Sequence, residues 1–234
     1  ICVPEYWSPP DPANTLDRIR SACEKSQYTL TDDLQSLGTS IGEYDNDSSL
    51  KTQYFAAAKT LSARVRMDFF ADAPNPLDKL RATLDEFWPN GCNVARDEPG
   101  HMLPAVVRRW VAGGQANPHI DATSIPALSH LGLQRRIGTN IYLSVPPLGA
   151  GGNIEFWGRV QNESEYARVK RADYGLERNL LGPPLATVRP EAGMLLMFDA
   201  SQVHAVTPLE SPDRISLACF VGVRREDQPL VVFA

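Results

Sequence analysis

The chain has 234 residues, of which 43% are hydrophobic and 22% charged, with a formal charge of −5. That size suits one globular domain with a sizeable core. The acidic balance argues against a general nucleic-acid binder, and no apolar run reaches the roughly 18 residues of a membrane-spanning helix.

Taken in order, the first hundred residues read mainly as helical. Asn14 or Thr15 can cap a stretch through Leu16, Ile19 and Cys23, with charges between the apolar positions. Gly38 to Ser49 is polar and turn-rich, as a loop would be. Ser48 to Met67 carries Tyr54, Phe55, Ala58, Leu61 and Val65 at helical spacing. A third helix is expected from Pro76 to Trp88, where proline opens a stripe of Leu77, Leu80, Leu84 and Trp88.

Near Pro104 the character changes. Short β-branched and aromatic runs alternate with Gly and Pro: Ala105–Val111, Thr139–Val145, Asn153–Trp157, Met194–Phe198 and Ile215–Val223. Several short strands at this spacing predict a β-sandwich or barrel. The expected fold class is therefore mainly β with helical support. One domain spans 1–234, with 1–103 as helical support, 104–234 as the β core and the polar stretch 158–187 as a lid. The basic cluster Arg168, Lys170, Arg171 is short and interrupted, which suits a solvated face.

Cys2, Cys23, Cys92 and Cys219 have no close pair or CxxC motif, which argues against a disulfide framework or thiolate zinc site. Cys219 lies in an apolar run and is expected as a buried, reduced thiol. A cytoplasmic location is the expectation from these thiols. The chain opens on Ile1, consistent with a native N-terminal segment that is missing here.

The chemistry concentrates in His119-Ile120-Asp121, His204 and Arg214-Ile215-Ser216. A lone histidine in a β-protein is more often a hydrogen-bonded structural residue than a ligand, and Asp121 alone could cap a turn toward Ala122–Ser124. Their joint context changes that reading. His119 and Asp121, two apart, share one side of a strand or strand end. Both histidines leave predicted strands, where a barrel mouth can gather distant groups. Two imidazoles and one carboxylate with open positions suit a non-haem Fe(II) facial triad. His101 and His130 lack partners at ligand spacing and are expected to be structural or on the surface.

Arg214 adds a planar, permanently charged fork that matches a carboxylate. Ser216 would share its strand face, and Asn140 and Tyr142 alternate on another predicted strand, where they could complete a polar cage. Arg108, Arg109 and Trp110 precede the triad on a strand. One arginine could point inward to an anionic substrate, although alternation between structural contacts and solvent is the plainer reading of each. Trp157, Tyr166 and Tyr174 either line the mouth or pack.

In this order of elements the chain resembles the Fe(II)/2-oxoglutarate oxygenases of the double-stranded β-helix (jelly-roll, cupin-like) fold. The likeness covers Pro104 to Ala234 and rests on His119-Ile-Asp121, Thr139-Asn-Ile-Tyr-Leu, Gly151-Gly-Asn-Ile-Glu-Phe, Pro190-Glu-Ala-Gly-Met-Leu-Leu-Met-Phe, His204 and Arg214-Ile-Ser216. The resemblance implies iron ligation by His119, Asp121 and His204, and 2-oxoglutarate binding by Arg214 with Ser216. It also matches Tyr142 to a strand tyrosine that contacts 2-oxoglutarate in prolyl-hydroxylase-like members. Tyr174-Gly-Leu-Glu-Arg looks like a narrower group of free amino acid hydroxylases and carrier-independent halogenases. Those halogenases replace the iron carboxylate with Gly or Ala; Asp121 is present here, which favours hydroxylation.

The implied function is a 2-oxoglutarate-dependent non-haem iron dioxygenase that uses O2, oxidises an unactivated C–H bond of a small molecule and releases succinate and CO2. Its partner would be a small-molecule substrate, not nucleic acid or membrane. Desaturation, cyclisation or hydroxylation of a protein side chain are alternatives within this chemistry. A non-catalytic ligand-binding β-barrel and a cupin-like metalloenzyme are alternatives outside it, and the second leaves Arg214 and Ser216 without a role.

Overall fold

A computed structural model describes residues 1–26, 33–43, 48–121, 126–160, 163–171 and 175–234. The three expected helices form as α1 (Ala13–Cys23), α2 (Ser48–Arg64) and α3 (Pro76–Phe87), and a fourth, α4 (Glu163–Val169), lies within the expected lid. The apolar stripes make these helices by giving each one buriable face. Ile19 and Cys23 of α1, Tyr54, Phe55, Ala58 and Leu61 of α2, and Leu77 and Leu80 of α3 are all buried.

Helix ends follow local hydrogen bonding. The Asn75 carboxamide oxygen accepts from the amides of Leu77 (2.9 Å) and Asp78 (3.4 Å), and Pro76 needs no such partner. The start of α1 differs from the sequence expectation. Asp11 Oδ1 accepts from the Ala13 amide at 3.0 Å, so Asn14 and Thr15 fall inside the first turn, and Thr15 is buried. Beyond Arg64, α2 widens into a π turn over Val65–Phe69 that buries both end residues.

The first hundred residues also hold five short strands that local pattern did not suggest: β1 (Cys2–Val3), β2 (Leu34–Leu37), β3 (Cys92–Val94), β4 (Arg96–Asp97) and β5 (Gly100–His101). Segments of two to four residues carry almost no periodicity. Partners distant in sequence decide their conformation. The β half follows as β6 (Val106–Trp110), β7 (Ala116–His119), β8 (Arg135–Ser144), β9 (Ile154–Val160), β10 (Ala186–Val188), β11 (Leu195–Asp199), β12 (Gln202–Val206), β13 (Arg214–Val223) and β14 (Leu230–Phe233).

The major sheet runs β1-β11-β8-β13-β14-β3, with β6 on β13 and β2 on β6; the minor sheet runs β10-β9-β12-β7. On one edge β13 pairs with β8 along nearly its whole length. On the other edge its first half pairs with β6 and its second half with β14. Among the described residues every strand pairing is antiparallel except β14 with β3. The two sheets form the jelly-roll of a double-stranded β-helix.

Strand alternation divides the core. Ile215, Leu217, Cys219 and Val221 of β13, with Ile141 and Leu143 of β8, pack in the core shared with the helices. Burial pushes the Cys219 thiol pKa up to about 12, so it behaves as a small apolar side chain. The opposite faces of β8 and β11 turn toward the minor sheet, where Tyr142 and Leu196 pack with Ile154 and Phe156 of β9.

At the Gly151-Gly152 turn, φ at Gly151 is +75° and a Cβ there would lie 1.8 Å from the Pro208 carbonyl oxygen. Only glycine lets the chain ahead of β9 approach the loop ahead of β13 so closely.

A half-buried ion cluster fixes the start of β13. Asp213 accepts from Arg109 Nε and Arg20 Nε, each at 2.6 Å, and Arg109 also reaches Glu24 (3.2 Å) and Gln35 (3.1 Å). Four elements meet there: α1, β2, β6 and β13. Asp213→Ala should lower unfolding free energy in urea by about 2–3 kcal/mol, because it strands Arg109 at a mostly buried position. Asp227→Ala, which removes the exposed Arg225 pair, should change it by less than about 0.5 kcal/mol. Equal losses in the two variants would contradict the clamp.

Candidate metal centre

The register of β7 against β12 sets His204 directly opposite His119. Opposite residues of an antiparallel pair project to the same side, and the two imidazole centroids lie 4.2 Å apart. Asp121 follows two residues after His119, just past the strand end, and its amide donates to the Ala200 carbonyl at 2.8 Å. Between them Ile120 points the other way and is buried with Trp157, Leu176, Val203 and Ala205. His119, Asp121 and His204 each offer a ligand atom, and these atoms lie within 4.8 Å of one another.

Both rings are oriented by their own strands. His119 Nδ1 lies 2.7 Å from the Asn117 carbonyl oxygen, and His204 Nδ1 2.9 Å from that of Gln202. A carbonyl can only accept, so each Nδ1 carries the proton and donates. The Nε2 atoms then face the carboxylate, His204 at 3.5 Å and His119 at 4.0 Å. Burial, reinforced by His204 and opposed by Asp121, lowers the His119 pKa to about 4. For Asp121 burial acts upward, but the contact with His204 and the charges of His204, His119 and Arg136 hold it well below the usual carboxylate range. Neutral imidazole beside an ionised carboxylate is the protonation state that a divalent metal needs.

Along the inner faces of β8 and β13 lies a second polar cluster. Arg214 Nη2 donates to the Tyr142 hydroxyl at 3.2 Å, and the guanidinium carbon sits 5.0 Å from the centre of that ring. Tyr142, Arg214 and Ser216 are 0%, 3% and 1% exposed. Burial raises the Tyr142 pKa against the pull of Arg214, so the phenol keeps its proton. Arg214 Nε and Ser216 Oγ are buried with no hydrogen-bond partner among the described residues. Buried polar atoms are rarely left this way, and an arginine N–H beside a serine hydroxyl on one strand face fits a carboxylate acceptor. Asn140 stands one alternate position along β8, opposite Ala218, and is half-buried. His101 and His130 are exposed and lie outside both clusters, and Arg168, Lys170 and Arg171 are exposed. Tyr174 and Ala122–Ser124 lie outside the described residues.

Residues 105–222 match the family model described as the 2OG-Fe(II) oxygenase superfamily. The chain belongs to this superfamily. A stretch of 90 residues is 33% identical to L-gamma-glutamyl-L-propargylglycine hydroxylase of Streptantibioticus cattleyicolor; it covers 38% of this chain and 32% of that relative. The chain thus matches about a third of that relative's length.

Among solved structures, an N-substituted L-amino acid dioxygenase of Burkholderia ambifaria in complex with alpha-KG superposes with a TM-score of 0.57 at 16% identity, over 93% of this chain and 83% of that one. HygX of Streptomyces hygroscopicus, with nickel and 2-oxoglutarate bound, gives 0.52 at 14% identity, over 94% and 80%. At such identities these structures speak for the fold, and it is the oxygenase fold. No helix among the described residues is long and apolar enough to cross a membrane.

Three residues near the triad were not among the site residues expected from the sequence. Phe198 lies 4.7 Å from the His204 ring and 5.2 Å from Phe156, centroid to centroid. Gly138 makes room for it, since a Cβ there would meet the Phe198 ring at 2.7 Å. A glycine inside a strand run marks such a close approach and was the available signal. Arg136, one alternate position before Gly138, is buried against the Phe220 ring at 3.9 Å and acts on Asp121.

Unfolded, His119 takes up a proton near pH 6.5; folded, only near pH 4. Between those values the unfolded chain holds more protons, so metal-free protein should lose stability as pH falls through that window. His119→Gln should flatten the fall in Tm between pH 6.5 and 4. A wild-type slope in that variant would contradict the burial of His119 as neutral imidazole.

Proposed function

We propose that this chain is an Fe(II)- and 2-oxoglutarate-dependent dioxygenase that hydroxylates an unactivated C–H bond of an amino-acid-like small molecule. The observation that carries the reading is the coexistence, on facing inner walls, of a three-ligand His/Asp/His cluster and a buried arginine–serine pair lacking an acceptor. His119, Asp121 and His204 would hold the iron; two nitrogens and one oxygen with thiols absent fit a borderline divalent ion. Arg214 and Ser216 would take the distal carboxylate of 2-oxoglutarate, which supplies their missing acceptor. Tyr142 shares this end, and Asn140 flanks the span between it and the triad. When bound, iron with 2-oxoglutarate and O2 supplies the oxidising chemistry and releases succinate and CO2.

The protein's own part is to bind, orient and exclude water. The backbone bonds at Nδ1 keep both imidazoles aimed before any ligand arrives, and Phe198 packs at a tilt beside His204. Residues 158–187 would act as the lid. Leu176 donates its amide to the Pro118 carbonyl at 2.6 Å, and Trp157 Nε1 donates to the Gly182 carbonyl at 3.0 Å. Tyr166 of α4 packs against the cluster around Ile120, near enough for Asp121 to influence its hydroxyl. A cover that close to the triad supports a small substrate over a protein side chain.

The partial relative named for a γ-glutamyl amino acid supports an amino-acid-like substrate of the kind met in natural-product chemistry. Asp121, rather than Gly or Ala, supports hydroxylation over halogenation.

Arg214→Ala should weaken 2-oxoglutarate binding by roughly 100-fold, the scale of a truncated, buried charge pair. Affinity for Mn(II) should stay within about threefold, a difference of under 1 kcal/mol. Anaerobic calorimetry with each ligand reads both. Unchanged 2-oxoglutarate affinity would remove Arg214 from the co-substrate site and this reading with it.

A further inference from the structure

Two adjacent arginines on β6 have opposite fates. Arg109 faces the helices, held by Asp213, Glu24 and Gln35. Arg108 turns the other way. Its register partner on β13 is Ser216 and on β2 is Ser36, so it projects with Ser216 toward the minor sheet. Trp110, on the same face of β6, packs with Ala116 of β7 and Val206 of β12, which shows that this face meets the strands bearing the histidines. Arg108 Nε is fully buried and has no hydrogen-bond partner among the described residues.

Among the described residues no acceptor meets that Nε–H. Arg214 is answered in the reading above by the distal carboxylate of 2-oxoglutarate. Arg136 lies on the Phe220 ring and feels Asp121 and Glu163. Among the described residues no carboxylate is hydrogen-bonded to Arg108 Nε. A guanidinium kept half-buried without a partner is costly, and its planar fork suits a carboxylate.

We propose that Arg108 is a second carboxylate receptor, on the His119 side of the site and distinct from Arg214, and that it takes the carboxylate of the amino-acid-like substrate. This deepens the proposed function and rests on it. A carboxylate held there would fix the substrate at one end while the carbon to be oxidised lies toward the triad, so Arg108 would govern both affinity and the position attacked. The same chemistry could be met by the 2-oxo acid end of 2-oxoglutarate, and the experiment separates these sources.

Wild type, Arg108→Gln and Arg108→Lys are compared anaerobically as Mn(II)-loaded protein, by calorimetry. The ligands are 2-oxoglutarate and, with it present, L-leucine, N-acetyl-L-leucine and γ-L-glutamyl-L-leucine, each against its C-terminal carboxamide. Thermal melts and Mn(II) affinity report whether the variants remain folded with the triad intact. Wild type should bind an acid at least about tenfold more tightly than its amide, the scale of one charge-assisted contact. In Arg108→Gln that preference should vanish with 2-oxoglutarate affinity unchanged, and Arg108→Lys should restore part of it. A fall in 2-oxoglutarate affinity of similar size would keep the receptor and assign it to the co-substrate. Unchanged 2-oxoglutarate affinity, together with no bound acid or with an acid preference that survives Arg108→Gln, would overturn the proposal. Failure of wild type to bind 2-oxoglutarate at all would instead overturn the function on which it rests.

Discussion

The alternation of side chains along β13 is the constraint on which the rest of the molecule depends. It is paired along most of its length on both edges, to β8 on one and to β6 and β14 on the other, so the strand cannot rotate or slip without breaking three ladders. One face supplies Ile215, Leu217, Cys219 and Val221 to the helix-backed core. The other carries Arg214 and Ser216. A slip of one residue would put a guanidinium into the apolar core and an isoleucine into the site. The same residues that secure the fold therefore secure the chemistry.

Against that fixed wall the minor sheet brings the triad. One register position, His204 opposite His119, makes two residues separated by 85 positions into neighbours. Holding these groups ready has an energetic cost. A neutral His119 is kept beside the half-buried Asp121 carboxylate, and Arg214 Nε and Ser216 Oγ have no acceptor among the described residues. Such strain is tolerated where surrounding structure is rigid, and here the Asp213 clamp abuts Arg214 directly. Ligands that complete these contacts should then stabilise the fold by mass action.

Much of this was legible in the chain itself. Helical stripes located α1, α2 and α3 because each has one buried face, and alternation with Gly and Pro located the long strands. HxD, the distal His and RxS pointed to the side chains that the fold gathers into two polar clusters, because metal and carboxylate chemistry restrict residue type as well as spacing. What stayed hidden was set by partners far away in sequence. Strands β1, β2 and β3 are too short to carry a period and take their conformation from the edges they join. The inward turn of Arg108 and the outward clamp of Arg109 follow from which strands lie on either side of β6, a matter of topology that adjacent arginines cannot announce. Gly138 and Phe198 make a contact whose partners lie on paired but separate strands.

The central claim is that the two polar clusters form one oxidative site. Its most direct test is succinate release by purified protein given Fe(II), 2-oxoglutarate and O2, with and without carboxylate-bearing amino acid derivatives, and with mass analysis of each compound. Succinate should require both iron and 2-oxoglutarate and rise with one compound, which gains a single oxygen atom. Protein that holds iron yet neither binds 2-oxoglutarate nor forms succinate with any compound would contradict the claim.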